Sequence, residues 1–144
     1  MSGINDLFSG MHAASSALSA ERTRIDVISK NIANAESTSM PDGSGPYRRQ
    51  VVNFSPILER ALDGSQTVGG MKVGSITPDT STPFPVLHDP SHRDHDAQGN
   101  VTMPNVNVVS EMADLILAMR SYEANLNTQD NFVKMAERAL RIVQ

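Results

Sequence analysis

Residues 88–96 read His-Asp-Pro-Ser-His-Arg-Asp-His-Asp, three imidazoles and three carboxylates in nine positions. These are donor types that divalent metals accept. Their spacing matches no standard metal motif, and His–Asp pairs are common in solvated loops, so the expectation is a loop without a cofactor. Other chemistry finds less support. Ser, His and Asp are present, but no Gly-x-Ser-x-Gly elbow holds a nucleophile. Val68-Gly-Gly-Met-Lys72 is glycine-rich yet lacks the Gly-Lys-Ser/Thr of a phosphate loop. The pair Arg48-Arg49 has the charge to meet an acidic surface, or to form the polar side of a strand. Nothing here points to an enzyme.

The totals narrow the classes further. The 144 residues fit one ordinary domain, or a small domain with long extensions. Aromatics make up only 4% and Trp is absent, which is thin for a self-sufficient core. The net charge is −4 and no segment is strongly basic, which argues against nucleic acid as a partner. Without Cys there are no disulfides or thiolate sites. The start, Met-Ser-Gly-Ile-Asn-Asp-Leu-Phe, lacks the basic and then apolar pattern of a secretory signal. No stretch reaches the roughly 18 apolar residues of a membrane span, so direct membrane insertion is not expected.

Proline divides the chain. All eight prolines fall between Pro41 and Pro104, with seven of the nine glycines. Proline avoids helix interiors, so 1–35 and 107–144 are the helix candidates and 36–106 holds turns and strands. In the first end, heptad positions Ile4, Met11, Leu18, Ile25, Ile32 and Leu7, Ala14, Glu21, Ile28, Ala35 are apolar in nine of ten cases. In the second, Met112, Met119, Leu126, Val133, Leu140 and Leu115, Tyr122, Gln129, Ala136, Val143 are apolar or aromatic in nine of ten. This spacing predicts two long helices with coiled-coil-like seams. Asn107 can cap the second, and Glu111 and Asp114 suit its positive end. Glu21 and Gln129 interrupt the seams. They form a register-setting pair if the helices run antiparallel, or else each faces solvent or a neighbour.

Within the middle, Tyr47–Phe54, Met71–Ile76 and Pro85–His88 read as strands. Ile57–Leu62 has the makings of a helical turn after Pro56. Asp42-Gly43, Asp63-Gly64 and Gly69-Gly70 mark turns, and 36–46 and 77–83 read as loose ends. The fold class is therefore mainly α, with the terminal helices pairing as an antiparallel coiled coil around a small β-rich insert.

Two helices alone would leave Phe8, Ala17, Val27, Ile116, Leu117, Met135 and Ile142 outside the seam. An apolar stripe wider than one partner can cover implies further helices from other copies or other proteins. Head-to-tail repetition of such contacts builds an open tube. A cytoplasmic coiled-coil adapter, closed as a small oligomer, would need the same helices. With seams short of partners, the terminal helices are expected to be poorly ordered until assembly.

Specific motifs carry a resemblance. Asn31-Ile-Ala-Asn34 at the end of an N-terminal amphipathic helix resembles the signature of bacterial flagellar rod and hook axial proteins. Pro41-Asp-Gly, Gly45-Pro-Tyr-Arg-Arg49, Asp89-Pro-Ser-His92, Asp94-x-Asp96-Ala-Gln-Gly99 and Val101-Thr-Met-Pro-Asn-Val-Asn-Val-Val109 resemble the proximal-rod branch. So do Glu111-Met-x-Asp-Leu-Ile116 and Arg120-x-Tyr-Glu-Ala-Asn125. Glu36-Ser-Thr-Ser departs from that pattern. The resemblance covers nearly the whole chain. It implies a structural subunit of the basal-body rod, built into a helical tubular shaft that crosses the periplasm, transmits torque and lines the export channel. It further implies passage through the flagellar type III export apparatus without a cleavable signal peptide. The implied partners are other copies, other rod subunits and the adapter protein at the export gate. Assembly contacts are then expected at Ile4, Leu7, Met11, Leu18, Ile25, Ile28, Asn31, Ile32 and Asn34. On the second helix they fall at Met112, Leu115, Met119, Tyr122, Asn125, Leu126, Val133 and Leu140. Tyr47, Arg48, Arg49, Met103, Asn105 and Asn107 would supply contacts of the middle segment.

Overall fold

The computed structural model describes residues 2–60 and 66–143, with side chains described for 8–58 and 67–141. Its elements in chain order are helix α1 (Ser2–Ala33), strands β1 (Gln50–Arg60), β2 (Gln66–Pro78), β3 (Val86–His88) and β4 (Asn100–Thr102), and helix α2 (Val108–Val143). The protein is thus mainly α with a small β-rich middle. β1 and β2 pair in one two-stranded sheet. β3 and β4 pair antiparallel in another, with Leu87 opposite Val101.

Both helices follow from the absence of proline and the apolar periodicity of the chain ends. Asn107 caps α2: its Oδ1 accepts from Ser110 N at 3.1 Å and its carbonyl from Glu111 N at 2.9 Å. These bonds occupy donors that a helix start leaves open.

The middle departs from expectation in several places, among them β4, which was not expected as a strand. Residues 57–60 extend β1 instead of forming a helical turn, and Leu62 lies outside the described residues. A two-stranded ribbon leaves each strand a free edge, where a proline such as Pro56 is tolerated. Tyr47, Arg48 and Arg49 precede the strand, and residues 77–78 belong to β2. Gly69-Gly70 lies inside β2 rather than at a turn, and the Asp63-Gly64 turn lies outside the described residues.

The chain divides into two compact units. The first comprises residues up to Ile25, Asn53–Ser75 and those from Leu117. Here Gly10 on α1 faces the Phe132 ring on α2, where an added Cβ would lie 2.5 Å from Cζ. Met71 N of the ribbon donates to Ser16 Oγ at 3.1 Å, and Ser16 donates to Ala13 O at 2.7 Å. A Cβ on Gly70 would run into Ser16 Oγ and come within 3.6 Å of Ala13 Cα. The small residues of α1 therefore form a seat for a glycine backbone. Gly70→Val is expected to cost about 1–3 kcal/mol by overpacking this seat, read as a lower urea midpoint.

The second unit comprises Asp26–Val52 and Ile76–Ile116. Val27, Ile28, Val101 and Pro104 are buried in it, with Asn31, Asn105 and Glu111 buried beside them. So many buried polar groups in one small unit require partners.

The helix faces differ from the seams expected. On α1, Ala14, Glu21 and Ile28 are buried, while Met11, Leu18, Ile25 and Ile32 are only half-buried. The Ile4 and Leu7 side chains lie outside the described residues. On α2, Leu115, Tyr122, Gln129 and Ala136 are half-buried, but the row Met112, Met119, Leu126, Val133, Leu140 is 40–68% exposed. The inward row is offset by one position: Glu111 and Ala118 are buried, and Asn125 and Phe132 half-buried. Glu21 Oε2 is buried with no hydrogen-bond partner, and its near cation is Arg24, 3.9 Å away, so Gln129 does not complete the register pair.

Candidate functional site

The second unit is built around Asn31. Its side-chain amide fills all four hydrogen-bonding positions inside the chain. Nδ2 donates to Gln50 O and to Glu111 Oε2, both at 2.9 Å. Oδ1 accepts from Gln50 N and from Tyr47 Oη, both at 2.9 Å. A single residue near the end of α1 thus ties the start of β1 to the first turns of α2.

Glu111 is 1% exposed, so its charge needs compensation. Arg49 supplies it: Nε donates to Glu111 Oε1 at 2.6 Å. The same guanidinium lies 3.9 Å from Asp79 Oδ2 and 3.8 Å from Asp114 Oδ2. Asn105 closes the far side. Its Oδ1 accepts from Arg49 N at 2.8 Å, and its Nδ2 donates to Asp79 O and Thr82 O at 3.0 and 3.1 Å. Arg48 stacks 4.2 Å over the Phe84 ring and donates to Asp79 O. Hydrogen bonds from Ser81 and Thr82 hold the Asp79 carboxyl far below the usual carboxylate range. Met103 N joins this framework by donating to Pro85 O at 2.8 Å.

Burial, and then the Glu111 charge, push the Tyr47 phenol above its ordinary value of 10.0. A raised folded value means the stabilisation is fully present below the unfolded pKa. It is lost as pH rises past that value through the folded one. Stability is therefore expected to fall above about pH 10, as Tyr47 loses the proton it gives Asn31. Tyr47→Phe should lose about 1 kcal/mol at pH 9 and show a shallower alkaline decline, measured by urea titration at pH 9 and 11.

The two asparagines of Asn-Ile-Ala-Asn part company. Asn31, expected at a subunit contact, has no hydrogen-bonding capacity left for one. Asn34 instead serves the helix end: Nδ2 donates to Lys30 O at 2.8 Å and Oδ1 accepts from Ser37 Oγ at 3.2 Å. Tyr47, Arg48, Arg49, Asn105 and Asn107 each make at least one side-chain hydrogen bond within the chain. Glu111, expected only to suit the helix dipole, and Asp79 were not foreseen in the node. Glu111 carried one signal, a carboxylate in phase with the inward row of α2.

The His88–Asp96 segment is a structured loop. Asp89 Oδ1 accepts from Ser91 N and Oγ, and Asp96 Oδ1 from Gln98 N and Asn100 N. Gly99 closes the turn with φ +80°, a conformation that side chains other than glycine rarely adopt. Thr38 Oγ1 donates to Asp94 Oδ2 at 2.7 Å. Among the described residues no three His, Cys, Asp or Glu side chains are placed to hold a metal. No described helix is long and apolar enough to cross a membrane.

The remaining feature is the apolar row of α2. Met119, Leu126, Val133 and Leu140 recur every seven residues and are exposed, with Leu117 and Met135 beside them. Such a row is a stripe that the described residues leave without a covering partner.

A buried polar lock between the two terminal helices and an exposed apolar row on α2 are features of a structural protein that packs against other chains. Residues 11–39 match the family model described as flagella basal body rod protein, and 97–142 match flagellar basal body rod FlgEFG protein C-terminal. The chain belongs to the flagellar basal-body rod proteins, which are structural proteins and not enzymes.

Within that family the similarity is to the rod proteins called FlgC. The FlgC of Borreliella burgdorferi is 43% identical, the match covering 96% of this chain and 98% of that protein. That of Bacillus subtilis is 40% identical over 94% and 97%, and that of Salmonella typhimurium 39% over 91% and 93%.

Proposed function

We propose that this rod subunit polymerises with further copies and with other rod subunits into the proximal part of the rod. That part is a helical tube which crosses the periplasm, carries torque and lines the export channel. In this reading α1 and α2 pair as an antiparallel coiled coil. The approach of Gly10 to Phe132 within the first unit, which brings the start of α1 to the later turns of α2, supports that pairing. Residues 1–35 and 107–144 form the inner core, and 36–106 lies outside it, toward neighbours. The chain reaches its place through the flagellar type III export apparatus without a cleaved signal peptide, and meets the adapter protein at the export gate.

One observation carries the reading: the exposed row Met119, Leu126, Val133, Leu140 on a helix whose opposite side is half-buried. Neighbouring subunits would cover it. A contact between unlike faces does not close on itself, so it extends into a filament. The test is electron cryotomography of cells lacking the chain. Basal bodies without a rod are expected, and rods of full length would refute the proposal.

A further inference from the structure

We infer that the Asn31–Glu111–Arg49 lock folds in the free subunit, before assembly, so that the inward ends of both helices are ordered without any neighbour. A boundary between preformed and assembly-dependent helix therefore falls inside α2, past Ile116, rather than at the chain's helix–loop junctions.

The distribution of burial carries this. Glu111 and Ala118 are the only buried side chains among the described residues of α2, and both lie within its first eleven residues. From Met119 to Arg141 no described side chain is buried. A helix takes most of its stability from tertiary packing. The first turns of α2 have that packing, whereas its later turns have only half-buried positions on one side. At the end of α1, Val27, Ile28 and Asn31 are buried together.

The lock is also complete in itself. Asn31 bonds groups 16, 19 and 80 residues away in sequence, with every donor and acceptor of its amide satisfied. The charge of Glu111 is matched by Arg49, a residue of the same unit. A network satisfied in this way asks nothing of a second copy. An exposed apolar row does. The two parts of α2 thus differ in what they need from assembly.

The experiment is amide hydrogen exchange on the dilute, full-length monomer, read by peptide. Amides in 27–33 and 111–116 are expected to exchange at least about tenfold more slowly than those in 121–140. Asn31→Ala should remove the protection of 27–33, 50–52 and 111–116 together. Tyr47→Phe, which deletes one bond and leaves the rest, should lower it in the same three segments by a smaller factor and guards against outright unfolding of the first variant. Uniform exchange along α2, whether fast or slow, overturns the inference. So does a loss confined to the substituted segment. Neither result bears on membership of the rod family, which rests on sequence similarity.

Discussion

Asn31→Ala is expected to lower stability by about 2–4 kcal/mol. The substitution strips a donor from Glu111, leaves Gln50 without partners for its N–H and C=O, and orphans the Tyr47 hydroxyl. Each buried group left unmatched costs about 1–3 kcal/mol, less whatever water entering the cavity restores. Asn31→Asp should be at least as damaging at neutral pH. It keeps the shape but sets a second carboxylate 2.9 Å from Glu111 Oε2. Asn34→Ala is the control. That side chain bonds only Lys30 O and Ser37 at an exposed helix end, so about 0.5–1 kcal/mol is expected. Urea denaturation of the three variants separates these cases. Equal losses at Asn31 and Asn34 would show that the node is not what holds the unit together.

The second large effect has the opposite signature. Met119→Glu with Leu126→Glu is expected to leave the stability of the isolated subunit within about 0.5 kcal/mol of the parent, because both side chains are exposed. Assembly should fail nonetheless. Each carboxylate would be driven into an apolar contact in every subunit of the rod, at several kcal/mol apiece. Cells carrying the double variant as their only copy should be non-motile on soft agar while their free subunit melts normally. Normal swarming would remove the α2 row from the assembly contacts.

These two predictions mark where the sequence was legible. Proline distribution and period placed both helices to within a few residues, and the absence of catalytic motifs pointed away from enzymes. Counting apolar residues misplaced one of the two rows expected in the seam of α2. The row that α2 turns inward contains Glu111, Ala118, Asn125 and Phe132, and the close approach on α1 is made by Gly10 and Asn31. Small and polar residues let helices approach and lock, but they do not register as hydrophobic period. The richer apolar row, Met112 to Leu140, is the one left outside. The buried role of Glu111 was hidden for the same reason, since a carboxylate in a first helical turn has an adequate local explanation in the helix dipole. Its partner Arg49 is 62 residues away. The Gly69-Gly70 pair looked like a turn because nothing local revealed that Ser16 and Ala13 would press against it.

An apolar row of α2 that becomes a subunit contact in the rod must lose its exposure on assembly. The chain contains no Cys, so Met119→Cys and Leu126→Cys each give a single thiol. We would measure the maleimide labelling rate of these thiols in the free subunit and again in purified basal bodies, with His95→Cys in the exposed 88–96 loop as reference. Both row positions are expected to label readily in the free subunit and to lose labelling, relative to the reference, in the basal body. Equal labelling of the row in both states would contradict that contact.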